Sequence, residues 1–330
     1  MYGARLLILG VGLGVLAGTF FSVWNPAKNF TADASRMDSE SVEQPDTAAI
    51  APTGGLRPGL HLSSEMSALK SQIETLVAEQ SDLTPGVFVV DLDSSAYLDI
   101  NGTMRFSAAS TIKTPILIAF FQDIDAGKIS LDETLTMKAE HVASGSGDMQ
   151  YSEPGTQYSA LETAIKMIAI SDNTATNMLI ERLGGAAALN RRFLSWGLTA
   201  TQISNPLPDL EGTNTTSPRD LVQLMAMVEK GKLVSLRSRD RLLGIMESTV
   251  NDALLPQGLD AEATIAHKTG DIGSTIADAG LVDMPNGKRY LIAMLVQRPH
   301  NDPNAEELIR QVSGKVYQSL SAEAVSSQLP

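Results

Sequence analysis

The sequence predicts an α+β fold in which the two ends of the folded segment build one antiparallel sheet and a helical lobe is inserted between them. Two observations carry this. Apolar, β-branched runs stand at both ends: GVFVVDLD (86–93) and AYLDI (96–100), then ATIAHKT (263–269), TIADAGLV (275–282) and RYLIAMLVQ (289–297). Between about Ser110 and Gly258 the apolar spacing is helical instead.

Each element has a local reason. SSEMSALKSQIETLVAEQ (63–80) places Met66, Leu69, Ile73, Leu76 and Val77 on one helical face. Ser94-Ser95 separates the first two strands as a hairpin, and Pro285-Asn286-Gly287 turns the last two. Leu161–Ile170 is apolar nearly all round and reads as a buried helix, and Gly184-Gly185 ends the helix after it. A final helix is expected from about Pro303 to Leu320.

The chain has 330 residues, 43% of them hydrophobic, a net charge of −13 and no cysteine. The acidity and the lack of any Lys/Arg cluster argue against nucleic acid as a partner. The absence of cysteine removes disulfides, thiol nucleophiles and Cys-ligated zinc. His61, His141, His267 and His300 are scattered without metal-ligand spacing, so neither metal nor cofactor is expected. His267 abuts a lysine motif and reads as orienting that strand or as a satisfied structural histidine.

At the N-terminus, Leu6–Trp24 is a 19-residue uncharged span behind Arg5. As a helix it would extend roughly 28 Å, about the thickness of a bilayer core. It reads as an uncleaved anchor with the bulk of the chain on the extracytoplasmic, periplasmic side. Ala32-Asp33-Ala34 has cleavage-site form but lies well past the apolar run. Gly10, Gly14 and Gly18 recur every four residues, a weak helix-pairing signal. Residues 25–62 carry four prolines and a Gly-Gly pair and read as a tether. The domain division is therefore 1–24 anchor, 25–62 linker, 63–322 folded domain and 323–330 tail.

Three short signals occur in order. Ser110-Thr-Ile-Lys113 places a hydroxyl and an amine one helical turn apart. A buried lysine loses its proton readily and can then take that of a serine. About one Ser-x-x-Lys is expected by chance in a chain this size, and Ser67-Ala-Leu-Lys70, on an amphipathic helix, is read as that copy. Ser171-Asp172-Asn173 follows the buried helix and also reads as a helix N-cap. Lys268-Thr269-Gly270 ends a strand. No G-x-S-x-G elbow, P-loop or dinucleotide fingerprint is present.

On these motifs, with SDNTATNMLIERLGG and AHKTGDIGS, residues 63–320 resemble the serine penicillin-recognising enzymes, that is, penicillin-binding proteins and class A β-lactamases. The resemblance implies a five-stranded antiparallel sheet flanked by N- and C-terminal helices plus an all-helical lobe. It implies Ser110 as the acylated nucleophile, Lys113 as its base and Ser171 as proton relay to the leaving nitrogen. Asn173 would hold the substrate amide, and Lys268 and Thr269 the substrate carboxylate. Beyond Gly270, the N–H groups of Ser110 and Asp271 would form the oxyanion hole.

Two departures matter. Class A β-lactamases carry Glu-Pro-x-Leu-Asn on a loop, whose glutamate activates the deacylating water. Here the match is Leu207-Pro208-Asp209-Leu210-Glu211, with leucine in place of that glutamate and Glu211 in place of the Asn. IADAGLV also lacks the arginine that many β-lactamases use for the carboxylate. The resemblance therefore points to a D-alanyl-D-alanine peptidase, carboxypeptidase or transpeptidase, acting on peptidoglycan stem peptides and acylated by β-lactams. The alternatives are a class A β-lactamase with Glu211 as base, and a non-turnover sensor of lactams or peptidoglycan. Leu207 and Glu211 are expected to wall the site.

Overall fold

A computed structural model describes residues 60–327, with side chains to 322. The anchor span 6–24, most of the tether and the last three residues lie outside the described residues. Among the described residues no helix is long and apolar enough to cross a membrane.

Helix α1 (Ser67–Ala78) turns Leu69 and Ile73 into the core and is followed by the hairpin β1 (Thr84–Asp91) and β2 (Tyr97–Ile100). The chain's other end supplies β7 (Thr264–Asp271), β8 (Thr275–Asp283), β9 (Arg289–Gln297) and helix α8 (Asn304–Ser327). These strands form one antiparallel five-stranded sheet in the order β2-β1-β9-β8-β7, so β9 joins the two ends of the domain and β7 is an edge strand. Strand periodicity divides the core. Phe88, Val90, Leu291, Ala293 and Leu295 face the helical lobe, while Val87, Val89, Tyr290, Ile292, Met294 and Val296 pack under α1 and α8.

The lobe contains α2 (Lys113–Asp125), α3 (Ala160–Ala169), α4 (Asn173–Arg182), α5 (Gly185–Ser195), α6 (Pro218–Glu229) and α7 (Leu236–Glu247). Two short ribbons interrupt it: β3 (Phe106–Ser107) with β6 (Thr215–Thr216), and β4 (Thr134–Thr136) with β5 (Gln157–Ser159). The predicted architecture holds, with three local differences. Helix α3 is amphipathic rather than buried all round: Ala160, Ala164, Met167 and Ile168 are buried while Ile165 is exposed. Leu60 and Leu62, assigned to the tether, pack against the core, and Tyr97 N donates to Ser64 O, so the folded part includes Leu60. The last helix runs on to Ser327, through residues assigned to the tail.

Candidate active site

Ser110 lies on a single 3₁₀ turn, Ala109–Ile112, that leads straight into α2, so Lys113 opens the helix one turn further on. Ala109 has φ +45°. Ser171, between α3 and α4, has φ +57°. Left-handed backbone at a non-glycine residue costs of order 1–3 kcal/mol and persists only where the surroundings enforce it. Here it stands beside Ser110 on one side of Lys113 and at Ser171 on the other.

Lys113 is fully buried. Its Nζ lies 2.6 Å from Ser171 O, 2.8 Å from Asn173 Oδ1, and 3.1 Å from both Ser110 Oγ and Ser171 Oγ. Asn173 Nδ2 donates to Ser144 O at 2.9 Å, which fixes Oδ1 as the end that faces the lysine. Two of the four neighbours, Ser171 O and Asn173 Oδ1, can only accept. A neutral amine satisfies both with its two N–H bonds and keeps its lone pair for a hydroxyl proton. Burial, then the nearby Lys268, push the Lys113 amine well below the usual lysine range, with Asp172 opposing. The geometry accommodates the neutral amine, and burial with the Lys268 charge eases its deprotonation.

The other Ser-x-x-Lys copy is the control. Lys70 Nζ pairs with Glu65 Oε1 at 2.8 Å at the surface, and this hydrogen bond holds its amine above the ordinary value. Ser67 Oγ turns to Glu65 O at 3.4 Å.

Asp172 is the N-cap of α4: its side chain accepts from Ala175 N at 2.8 Å and from Met149 N at 2.9 Å. The triplet Ser171-Asp172-Asn173 thus both caps a helix and delivers three of the four oxygens around Lys113 Nζ.

Strand β7 comes against the serine turn at Gly270. A Cβ there would lie 2.7 Å from Ser110 N and 2.9 Å from Ala109 Cβ, so only glycine permits the approach. Ile272 N donates to Thr275 O. By the alternation of an antiparallel ladder, the N–H of Asp271 then points away from β8, to the free edge. Ser110, Ser171, Lys268, Thr269, Gly270 and Asp271 line one cleft of about 390 Å3 between β7 and the lobe. Lys268 is buried and donates to Thr269 O at 2.9 Å; burial lowers its amine to about 8, with Asp278 opposing. His267 faces away from this, its Nδ1 2.9 Å from buried Asp278 Oδ1 and its carbonyl accepting from Thr249 Oγ1 at 2.8 Å. Burial works against its charged form, but Asp278 outweighs it and raises its pKa.

The loop with Leu207 is pinned at several points. Ser107 Oγ donates to Gly212 O and Ala108 N to Asn214 O, tying it to the strand that precedes Ser110. Asn177, one turn beyond Asn173 on α4, accepts from Leu207 N at 2.9 Å and donates to Leu207 O at 2.8 Å; the Leu207–Pro208 peptide is cis. Leu207 is buried, and neither it nor Glu211 lines the cleft. Glu211 is exposed on the Asp209–Gly212 turn. Among the described residues no group of three or more His, Asp or Glu could hold a metal ion.

Sequence reasoning missed Asn177 and Arg298. The i, i+4 spacing from Asn173 could have marked the first. Arg298, at the end of β9, reaches Asp271 through space and left no local signal.

Residues 68–320 match the family model described as the beta-lactamase enzyme family. The chain belongs to that family. It is 56% identical to PBP-A, whose structure it matches with a TM-score of 0.78 over 80% of this chain and 100% of that one. A leucine-to-glutamate mutant of PBP-A, in acyl-enzyme complex with penicillin G, matches with the same identity, TM-score and coverage. Among curated proteins it is 27% identical over 273 residues to the extended-spectrum beta-lactamase PER-1 of Pseudomonas aeruginosa, covering 78% of this chain and 88% of that protein.

Proposed function

We propose that this chain is a serine acyl-enzyme peptidase acting on D-alanyl-D-alanine ends of peptidoglycan stem peptides, as carboxypeptidase or transpeptidase, and that β-lactams acylate it. One observation carries the reading. Both serine hydroxyls that acylation uses stand 3.1 Å from the Lys113 amine, while the loop position that would activate a deacylating water holds a buried leucine and Glu211, the acid that could replace it, stands in solvent.

Ser110 Oγ attacks the carbonyl carbon as the lone pair of Lys113 takes its proton. The developing oxyanion meets the N–H groups of Ser110 and Asp271. The proton then passes from Lys113 through the Ser171 hydroxyl, also 3.1 Å from it, to the leaving nitrogen, and the C–N bond breaks. Lys268 and Thr269 hold the carboxylate of the leaving residue, and Asn173 with the free edge of β7 receives an extended peptide as an added strand. A peptide leaving group departs and opens the ester to water or an acceptor amine. A lactam ring stays tethered and blocks that approach. The acyl-enzyme of the leucine-to-glutamate mutant of the related PBP-A with penicillin G supports the acylation step. With residues 6–24 as an anchor, the cleft would stand on the extracytoplasmic side, where such peptides lie.

Intact mass followed over time after mixing with penicillin tests the reading. A penicilloyl adduct that persists for hours, with release of D-alanine from a D-Ala-D-Ala peptide, is expected. Rapid return to the free mass would establish a β-lactamase, and a lasting adduct without peptide turnover a sensor.

The acylation rate should follow a bell-shaped pH profile. It rises as Lys113 deprotonates, at a pH well below that of an ordinary lysine, and falls as Lys268 loses its charge near about 8. In Lys268→Arg the alkaline limb should move up beyond pH 9, because guanidinium keeps its proton. A limb that stays in place assigns it to another group.

A further inference from the structure

The cleft is polarised along β7. Lys268 and Asp271 stand three residues apart, about 10 Å at strand rise, with Ser110 opposite Gly270 between them. The Lys268 end presents a cation for the substrate's carboxylate. The other end presents Asp271, and its carboxylate is held in a set position. Oδ1 accepts from Gly273 N at 2.7 Å and from Arg298 Nη2 at 2.6 Å. Arg298 is buried, and its remaining contacts are spent on backbone: Nε donates to Gly273 O and Nη1 to Asp302 O. The guanidinium therefore orients the carboxylate from behind and has no face toward the cleft. Among the described residues Oδ2 has no protein partner, and the side chain is half exposed. Glu306, the other acid lining the cleft, is paired with Arg310 at 2.8 Å. An asparagine would close the same turn through its own Oδ1 but would leave the buried Arg298 guanidinium without its carboxylate. Besides the charge that balances Arg298, the aspartate brings a second oxygen on a half-exposed side chain at the cleft wall.

We propose that Asp271 Oδ2 is a specificity determinant that selects acyl donors bearing a positive charge on the acyl side of the scissile bond, so that the preferred peptide carries a free side-chain amine in the residue before its D-alanyl pair. This deepens the peptidase reading and rests on it. The substrate then complements the cleft at both ends, carboxylate to Lys268 and amine to Asp271, and a peptide whose amine is blocked, or replaced by an acid, is discriminated against. The ion pair with Arg298 offsets part of the field at this end, so the expected selectivity is modest.

The test measures second-order acylation rate constants of the full chain with three penicillins that differ in side-chain charge: ampicillin (amine), benzylpenicillin (neutral) and carbenicillin (carboxylate). The ampicillin-to-carbenicillin ratio is compared between wild type and Asp271→Asn, which cancels the intrinsic reactivity of each drug. The wild-type ratio should exceed the variant's by about fivefold, as for a half-exposed charge pair, and should narrow in wild type as salt is raised. The salt series needs no variant and so stands even if Asp271→Asn fails to fold. The same order is expected for release of D-alanine from Nα-acetyl-Lys-D-Ala-D-Ala against its Nα,Nε-diacetyl form. Equal ratios in wild type and variant, or a salt-independent wild-type ratio, overturn the proposal. Failure of all three penicillins to acylate would sink the acyl-enzyme reading itself, and this proposal with it.

Discussion

Ser110→Ala is expected to abolish covalent labelling by a fluorescent penicillin, while Ser67→Ala labels as wild type does. Both serines precede a lysine by three residues, so the motif alone cannot separate them. The surroundings do. Lys70 is held as a surface ammonium by Glu65 and has no lone pair to offer. Lys113 is buried, its amine pushed well below the usual lysine range by that burial and by Lys268, and it lies 3.1 Å from the hydroxyl it would deprotonate. General-base assistance of this kind is typically worth about 10²–10⁴-fold, roughly 3–5 kcal/mol of barrier, and loss of the nucleophile removes the covalent route altogether. Ser110 is partly exposed and Lys113 keeps its bonds to Ser171 and Asn173 without it. The variant should therefore melt within a few degrees of wild type, and gel fluorescence beside a melting curve separates chemistry from folding. Labelling that survives in Ser110→Ala would move the nucleophile elsewhere.

The sheet and the two lobes were legible because strand and helix periods differ and both ends of the folded segment carried the strand period. The three motifs were legible because their chemistry depends on spacing within one turn or one strand. What stayed hidden is set by contacts across the fold. Leu161–Ile170 read as wholly buried because its residues are apolar, yet Ile165 meets solvent. Asp271 was visible directly after Lys268-Thr269-Gly270, but its orientation by Arg298, at the end of β9, depends on contact across the fold. The opening of the folded domain was placed at Ser63 on composition, and Leu60 and Leu62 pack with the core because tertiary contact, not local pattern, decides such boundaries. His267 could be read either as orienting the lysine strand or as satisfied in the core. Its bonds to Asp278 and Thr249 agree with both, since they hold β7 in register behind the cleft.

Leu207→Glu is expected to speed release of a bound penicilloyl group. Asn177 grips the backbone of residue 207 through both its N–H and its carbonyl, one helical turn from Asn173, so residue 207 is tied to the helix that supplies Asn173 to Lys113. A carboxylate that reaches a water beside the ester supplies the missing base. The full benefit of such a base is about 10²–10⁴-fold, and the lower end is expected here, because Glu211 stands where a second water-holding amide would be and is turned to solvent. Leu207 is buried, so the new carboxyl also loses hydration, which costs stability unless a water or Lys113 satisfies it. Burial favours its neutral form, and a neutral carboxyl is no base. The acceleration should therefore grow as pH rises through that group's pKa, whereas the wild-type release rate should lack this limb. Deacylation rates of the labelled protein, across pH, are compared for wild type, Leu207→Glu and Glu211→Gln. A faster, pH-linked release in the first variant and no change in the second are expected. If Leu207→Glu leaves the rate as it was and Glu211→Gln slows it, Glu211 reaches the site in solution and the β-lactamase reading takes precedence.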